Sequence, residues 1–388
     1  MAKRQYGVGS IDKRDGRFRL RYRFDGKSFT KTLPKGTTRT EAGKQLRAIM
    51  KACDSGEHVS PNKVTLAQFF TTWLTTIKPN VSPRTHERYE QIANKNIAPL
   101  LGTVRLSRLT KEHIKAAYAQ ALESGRSDGK GGLSPRTVHH LHRVLFSALN
   151  AAVDSNLITR NPAAFIEKKH RPKVAAKAVS VVDAPTTAKI MDAARERRLF
   201  VPILLAALCG LRRGEITALR WKSVDLDNEQ PSLQVVASTE QTDAGTVREK
   251  APKSGRARSV ALPAMALEEL RKWRIAQAEE LLRLGIRPDD NTHVVTKSDG
   301  DPLQPRSLTH VMSDFLSDWG MTLHKLRHSH ASHLLALNQH PKVVQERLGH
   351  SSIAITLDIY SHLMPNMQGE AAAKLDVAFR GPLIRRSE

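Results

Sequence analysis

Residues 209–221 read CGLRRGEITALRW. They overlap the end of an apolar run, Phe200 to Leu211, which predicts a buried helix that Gly210 terminates. Beyond it, Arg212 and Glu215 are three residues apart, a spacing that makes two side chains neighbours on one helical face. An exposed ion pair would contribute little to stability, but the preceding apolar run predicts that this pair is at least partly buried.

Two further polar motifs follow in the same part of the chain. Lys253 lies in the segment Pro252 to Arg256, where we expect a strand to turn, which would place the lysine at the tip of a hairpin. Taken alone, a lysine in a turn is usually only solvated. His324 and Arg327 are again three residues apart and are predicted to share a helix face.

A glycine step and a tyrosine complete the set. Leu348-Gly349-His350 is predicted to end another helix, and Tyr360 follows His350 by ten residues. The chain has four other tyrosines, and all of them precede residue 180: Tyr6, Tyr22, Tyr89 and Tyr118. Tyr360 is therefore the only tyrosine in the part of the chain that holds both arginine motifs.

Histidines also cluster here, at His324, His328, His330 and His333. His324 and His328 are four residues apart, which raises a metal site as an alternative interpretation. However, no carboxylate or cysteine follows at ligand spacing, and the chain lacks zinc, P-loop and dinucleotide-binding signatures. We therefore expect neither a metal ion nor an organic cofactor.

In this order and spacing, the motifs resemble the signatures of the tyrosine recombinase (phage integrase) family. Those signatures are an Arg-x-x-Glu box, a lysine in a strand turn, a His-x-x-Arg-His box, a Leu-Gly-His step and a tyrosine ten residues later. The resemblance implies a site-specific DNA recombinase that integrates and excises a phage or an integrative element. Two alternatives are a type IB-like topoisomerase and a non-catalytic DNA-binding protein of the same fold.

The resemblance also implies roles for these side chains, and elementary chemistry agrees with them. Arg212 and Arg327 suit the non-bridging oxygens of a phosphodiester, because guanidiniums stay charged and present paired donors. Histidines donate hydrogen bonds or move protons near neutral pH, as His324 and His350 would do. Tyr360 would be the nucleophile, giving a 3′-phosphotyrosyl bond. By resemblance, Lys253 would protonate the leaving 5′-oxygen, and Glu215 would orient Arg212.

The overall charge agrees with a polyanionic partner. The 388 residues carry 62 Lys and Arg against 38 Asp and Glu, a formal net charge of +24. Such an excess attracts nucleic acid, although charge alone would also fit a ribosome-associated or generally adhesive basic protein. The longest apolar run is about half of what a bilayer requires, so we expect no membrane association. The resemblance implies a cytoplasmic, nucleoid-associated location in a bacterial host.

The first segment, residues 1–58, has the densest positive charge, with 15 Lys and Arg against 6 Asp and Glu. Arg17 to Phe24 alternates arginine with apolar residues, which predicts a strand with arginines on one face. Asp25-Gly26 predicts a turn into a strand from Lys27 to Leu33, and a helix follows from Thr40. Adjacent arginines repel unless an anion lies between them, so we interpret the face as DNA-binding through four residues: Arg17, Arg19, Arg21 and Arg23.

We expect a multidomain chain, mainly α with small β-sheets. Residues 1–58 would be an arm-type DNA-binding domain of a small sheet plus a helix. Residues 63–168 would be a helical, SAM-like core-binding domain, in which Ser82 and Ser134 begin helices. A basic linker leads to an α+β catalytic domain at residues 180–388. One small sheet there would contain three strands: Ser232–Ala237, Val247–Ala251 and Arg258–Leu262.

The expected partners follow from the resemblance. They are double-stranded DNA attachment sites of core and arm type, bound by a homotetramer. A host DNA-bending protein and an excision factor are further candidate partners. After Tyr360, the pattern from Glu370 to Phe379 predicts a helix that would pack on a neighbouring subunit.

Overall fold

The computed structural model describes residues 9–24, 27–54, 63–126, 128–174, 181–252, 255–360 and 367–380. The chain divides into two compact units, residues 1–176 and 177–388. Helices dominate both units and the sheets are small and antiparallel, as the sequence predicted. The division into three domains stays a prediction.

The first part of unit 1 is a three-stranded sheet with one helix. Its elements are β1 (Ser10–Arg14), β2 (Arg17–Phe24), β3 (Lys27–Thr32) and α1 (Arg39–Asp54), with the strands in the order β1-β2-β3. The predicted alternation in β2 is confirmed, because Leu20 and Tyr22 are buried in a cluster with Leu46 of α1. The predicted turn at Asp25-Gly26 lies outside the described residues. Strand β1 was not predicted.

The second part of unit 1 is helical. Its main helices are α2 (Leu66–Ile77), α3 (Pro83–Gln91), α4 (Ala98–Leu101), α5 (Lys111–Ser124) and α6 (Pro135–Asp154), with a π-helical segment at Ile92–Ile97. Both predicted helix starts are confirmed. The hydroxyl of Ser82 accepts from the amide of Thr85 at 3.2 Å, and that of Ser134 accepts from the amide of Thr137 at 3.2 Å. These bonds satisfy amides that have no partner within the first helical turn.

Unit 2 is built around the apolar run. Its helices are α7 (Ala184–Ala194), α8 (Phe200–Leu208), α9 (Arg213–Ala218), α10 (Ala264–Arg283), α11 (Pro305–Ser317), α12 (Leu323–Ala336), α13 (Pro341–Leu348), α14 (Ile353–Tyr360) and α15 (Met367–Arg380). Helix α8 is the centre of the core, with Ile203, Leu204 and Leu205 fully buried, and it packs against α7 and α12. Among the described residues, no helix combines the length and apolar character that a bilayer crossing requires.

The strands of unit 2 correct one prediction. They are β4 (Val224–Asp225), β5 (Ser232–Val235), β6 (Ser238–Gln241), β7 (Val247–Lys250) and β8 (Arg258–Ala261). The single sheet that we predicted is wrong, because β4-β5-β8 form one sheet and β6-β7 form another. Strands β5 and β8 pair through the buried residues Leu233 and Val260, whereas β7 is largely exposed and pairs with its immediate neighbour β6.

This division changes the setting of the segment around Lys253. The segment joins β7 to β8, and these strands belong to different sheets, so it is not the tip of a hairpin between two paired strands. Lys253 itself lies outside the described residues. Its placement next to the other predicted site residues therefore stays a prediction.

Candidate functional site

The site begins where α8 ends. Gly210 has a φ of 67°, a left-handed conformation that suits glycine, and the chain then turns into α9. Arg212 is the residue that caps α9 and Glu215 is its third residue, so Arg212 lies just before the helix and not within it. The backbone amide and Nη1 of Arg212 donate to opposite oxygens of Glu215, each at 2.8 Å. The predicted pairing and its burial are confirmed.

Glu215 binds a second arginine that sequence reasoning missed. Arg258, the first residue of β8, donates from Nη1 and Nη2 to the two carboxylate oxygens at 3.0 and 2.7 Å. Glu215 is only 2% exposed. Burial acts to raise the pKa of Glu215, but the hydrogen bonds and charges of Arg258 and Arg212 outweigh it and hold the pKa at about 2. The carboxylate is therefore ionised throughout the neutral range.

Arg327 of α12 reaches the same place from the other side. It is 2% exposed, and its Nη1 lies 3.7 Å from Oε2 of Glu215. The same Nη1 donates to the carbonyl of Gly210, and Nη2 donates to the carbonyl of Leu348 at 2.6 Å. Arg212 Nη2 donates to the next carbonyl, that of Gly349, at 3.1 Å. Both predicted arginines thus converge on one backbone turn.

That turn is the predicted end of α13. Gly349 has a φ of 64°, and the chain leaves the helix directly into His350. His350 Nδ1 is 2.9 Å from the hydroxyl of Thr356, a fully buried residue of α14. Burial, followed by the charges of Arg327 and Arg212, lowers the pKa of His350 to about 4, so the ring is neutral at pH 7.

Tyr360 is the last residue of α14, four residues after Thr356. Its side chain lies outside the described residues. The helix that ends at Tyr360 is linked to His350 by the hydrogen bond of the Thr356 hydroxyl.

The four histidines of α12 lie in two kinds of surroundings. His324 is exposed, and its ring lies edge-on to that of His328, with ring centres 4.5 Å apart. By contrast, His330 Nδ1 donates to the carbonyl of Ala207 at 2.9 Å, and His333 Nε2 donates to that of Val182 at 2.8 Å. Among the described residues, no three His, Cys, Asp or Glu side chains are grouped to hold a metal ion.

The arginine face of β2 is a separate feature. Arg17, Arg21 and Arg23 are exposed and Arg19 is partly exposed. The structure supplies an anion that the sequence argument left out, since Asp12 of β1 bonds Arg21 at 2.9 Å and lies opposite Arg19 in the sheet register. Asp12 therefore relieves part of the repulsion among the arginines within the protein, so this repulsion does not by itself require a bound DNA phosphate.

Comparison with known protein families identifies both helical regions. Residues 179–367 match the phage integrase family, and residues 65–122 match the phage integrase N-terminal SAM-like domain. The chain belongs to the phage integrase family of tyrosine recombinases. The first match contains the whole arginine, histidine and glycine-turn cluster and extends past Tyr360.

Relatives of this recombinase cover most of its length. The ICEBs1 integrase of Bacillus subtilis is 26% identical over 359 residues, which are 89% of this chain and 92% of the relative. A XerC-like tyrosine recombinase of Caldanaerobacter subterraneus is 27% identical, over 89% of this chain and 91% of the relative. Among solved structures, the Tn1549 transposon integrase with transposon right-end DNA has a TM-score of 0.67 at 18% identity, covering 80% of this chain and 99% of that one.

Proposed function

We propose that this recombinase cuts and rejoins DNA at specific sites through a covalent bond between Tyr360 and a 3′-phosphate. The observation that supports the proposal most strongly is the convergence of Arg212, Arg327 and His350 on one turn, with α14 leading from that turn to Tyr360. A scissile phosphate gains charge on its non-bridging oxygens in the transition state. Two guanidiniums held by backbone carbonyls and a carboxylate are preorganised donors for that charge.

The chemistry balances without an external energy source. The phenol of Tyr360 gives up its proton and its oxygen bonds to phosphorus, the bond from phosphorus to the 5′-oxygen breaks, and that oxygen takes up a proton, so one proton is released and one is consumed. By family resemblance, Lys253 donates this proton. The phosphodiester energy is retained in the phosphotyrosyl bond, so a 5′-hydroxyl of another strand can reverse the reaction. His324 and the neutral His350 would donate hydrogen bonds to the phosphate oxygens.

The biological reaction would be integration and excision of a phage or an integrative element. Relatives that carry the name integrase support this, including those of Bacillus subtilis and of Mycobacterium phage L5. We divide the chain into an arm-type DNA-binding domain (1–58), a core-binding domain (63–168) and a catalytic domain (180–388). The arginines of β2 would bind arm-type sites. The enzyme would act at the bacterial nucleoid, with a host DNA-bending protein and an excision factor as further partners.

Strand exchange would require four copies of this chain. Lambda integrase has been solved as a tetramer bound to a Holliday junction, and its fold matches this chain with a TM-score of 0.54 over 90% of the length. A tetramer on two synapsed duplexes would exchange strands in pairs.

A nicked suicide substrate tests the proposal. Its cleaved end leaves as a short oligonucleotide, so a covalent protein–DNA adduct accumulates, and the reaction is run in EDTA. We expect an adduct with the wild type and none with Tyr360→Phe. An adduct that persists in Tyr360→Phe would overturn the nucleophile assignment. Binding without an adduct in the wild type would favour a non-catalytic DNA-binding protein, and relaxation of plasmids that lack an attachment site would favour a topoisomerase.

A further inference from the structure

Arg258 is a buried arginine that is distinct from the two arginines of the family signature. Its side chain is only 8% exposed, and it begins strand β8. Two of its nitrogens bind both oxygens of Glu215, and its third, Nε, donates to the carbonyl of Arg347 at 2.9 Å. All three nitrogens of the guanidinium are thus engaged within the protein.

These bonds join three parts of the site. Glu215 belongs to α9, Arg258 to β8, and Arg347 to the last turn of α13, just before Leu348 and Gly349. Because Arg212 and Arg327 donate to the carbonyls of Gly349 and Leu348, the same turn that Arg258 holds also holds both arginines of the signature. Arg258 therefore contacts neither arginine through these bonds but supports both indirectly, through the carboxylate of Glu215 and the backbone of α13 at Arg347.

Gly349 shows how close this packing is. A Cβ atom at Gly349 would lie 3.0 Å from Cδ and Nη1 of Arg258, closer than ordinary van der Waals contact. The guanidinium therefore lies directly against the turn that carries His350. A side chain at position 349 would therefore have to displace Arg258.

Arg258 also affects the site through the charge balance around Glu215. Glu215 is a single carboxylate among three guanidiniums, those of Arg212, Arg258 and Arg327. Arg258 is the strongest of these partners, because it binds both oxygens of Glu215 in a bidentate pair. Arg212 and Arg327 now divide their Nη donors between Glu215 and the backbone carbonyls of the turn. Without Arg258, the buried carboxylate would lose two charge-assisted bonds, and both arginines would shift toward it to replace them. The two guanidiniums would then leave the positions from which they can stabilise the charge of the substrate phosphate.

We propose that Arg258 is a positioning residue for DNA cleavage: by occupying Glu215 and tying β8 to the turn at Leu348 and Gly349, it leaves Arg212 and Arg327 oriented toward the scissile phosphate. This inference rests on the proposed function, because it assumes that these two arginines stabilise the transition state.

A substrate with a neutral phosphorus centre distinguishes positioning from simple folding support. A methylphosphonate at the scissile position has one charged oxygen fewer, so less charge develops for the two arginines to stabilise. Single-turnover cleavage by the full chain at saturating protein would be measured on phosphate and methylphosphonate duplexes. DNA affinity and the thermal unfolding midpoint would be measured in parallel, for wild type, Arg258→Met, Arg258→Lys and Arg212→Ala.

Arg198→Met is the matched structural control. Arg198 also joins a carboxylate and a backbone carbonyl, bonding Glu280 at 2.6 Å and the carbonyl of Lys297 at 3.0 Å. Neither of these partners belongs to the arginine cluster around Glu215. Its replacement should lower stability without making cleavage depend on the charge of the phosphate.

We expect Arg258→Met to slow phosphate cleavage by at least about 10-fold with DNA affinity within about three-fold of wild type, since loss of one preorganised donor costs about 100-fold. On the methylphosphonate, the defects of both Arg258→Met and Arg212→Ala should shrink, while any defect of Arg198→Met should be equal on the two substrates. Arg258→Lys should recover activity only in part, because an ammonium cannot bind both carboxylate oxygens in parallel.

Two results would overturn the inference while the proposed function stands. They are wild-type cleavage rates in Arg258→Met, and a defect of Arg258→Met that is the same on both substrates. If the wild type itself formed no adduct with phosphate DNA, the proposed function would fail, and the inference with it.

Discussion

His330 and Arg347 share a hydrogen bond of 3.1 Å, from Nε of the arginine to Nε2 of the histidine. The other ring nitrogen of His330 donates to the carbonyl of Ala207, so the ring must be the neutral tautomer with its proton on Nδ1. Burial, and then the charge of Arg347, lowers the pKa of His330 to about 3, which agrees with this assignment. A histidine of the signature helix is therefore structural, and it fixes α13 against α12.

Arg347→Met should destabilise unit 2. Arg347 also donates to the carbonyls of Ala261 and Leu208, each at 3.0 Å, so its loss leaves three acceptors without this donor. We expect the free energy of unfolding to fall by about 2–4 kcal/mol, measured by urea denaturation. Lys342→Met, on the exposed side of the same helix, should change it by less than about 0.5 kcal/mol. Equal effects of the two substitutions would contradict the assigned role of Arg347.

Gly349→Ala should impair cleavage more than its backbone strain explains. Gly320 is the matched comparison, because its φ of 60° is nearly that of Gly349, yet a Cβ at Gly320 meets nothing within 4 Å. Each alanine should cost about 1 kcal/mol of strain. Only Gly349→Ala presses on Arg258, so only this variant should lose about 10-fold in single-turnover cleavage. A similar loss in Gly320→Ala would show that strain alone is responsible.

Stability should fall as the solution is acidified from about pH 6.5 to about pH 4. Burial is the main cause that lowers the pKa to about 4 in three histidines, His142, His328 and His350, and to about 3 in His330. In this window the unfolded chain binds protons that the folded chain does not, so each such histidine removes about 1 kcal/mol per pH unit. Above pH 6.5 both states are neutral and this contribution is fully present.

Thermal unfolding midpoints between pH 7.5 and 4.5 would test this dependence. The variant His142→Gln removes one titrating ring from the helical part of unit 1, where His142 Nδ1 lies 2.9 Å from the hydroxyl of buried Tyr118. Its dependence on pH should be shallower than that of the wild type. An unchanged slope would mean that His142 does not contribute.

The sequence predicted those parts of the fold that depend on local patterns. The alternation in β2, the serine starts of α3 and α6, and the glycine ends at Gly210 and Gly349 each depend on a few adjacent residues, and all are confirmed. The grouping of strands was wrong, because the choice of β5 over β7 as the partner of β8 depends on packing in three dimensions. No local pattern contains that information.

The site was predictable to the same degree. Arg212, Glu215 and Arg327 could be identified because family spacing marks them, and the structure brings them together. Arg258 and Thr356 could not, because a single arginine at a strand start and a single threonine in a helix have many ordinary explanations. One signal was available: Arg258 and Val260 lie on the same face of a strand, and Val260 is buried, so an arginine on that face requires a buried anion.

Asp12→Asn should strengthen DNA binding by the first part of the chain. Asp12 bonds Arg21 at 2.9 Å, and removing its charge releases that arginine for phosphate. We expect affinity for arm-type DNA to rise a few-fold and the slope of log affinity against log salt to steepen by about one. Arg17→Gln should do the opposite, while adduct formation on a core site alone should be unaffected by either variant. An affinity unchanged by both substitutions would remove the β2 face from the DNA-binding surface.

Thr356→Val should slow cleavage without loosening the core. Valine fills the space of this fully buried threonine but cannot bond Nδ1 of His350, so the ring loses the contact that sets its orientation. We expect single-turnover cleavage to fall about 10-fold, with DNA affinity unchanged. Thr187→Val is the control, since Thr187 is also buried but its hydroxyl donates to the carbonyl of Asp183, at the start of its own helix. If both variants cleaved at the wild-type rate, the link from His350 to the helix of Tyr360 would have no part in the reaction.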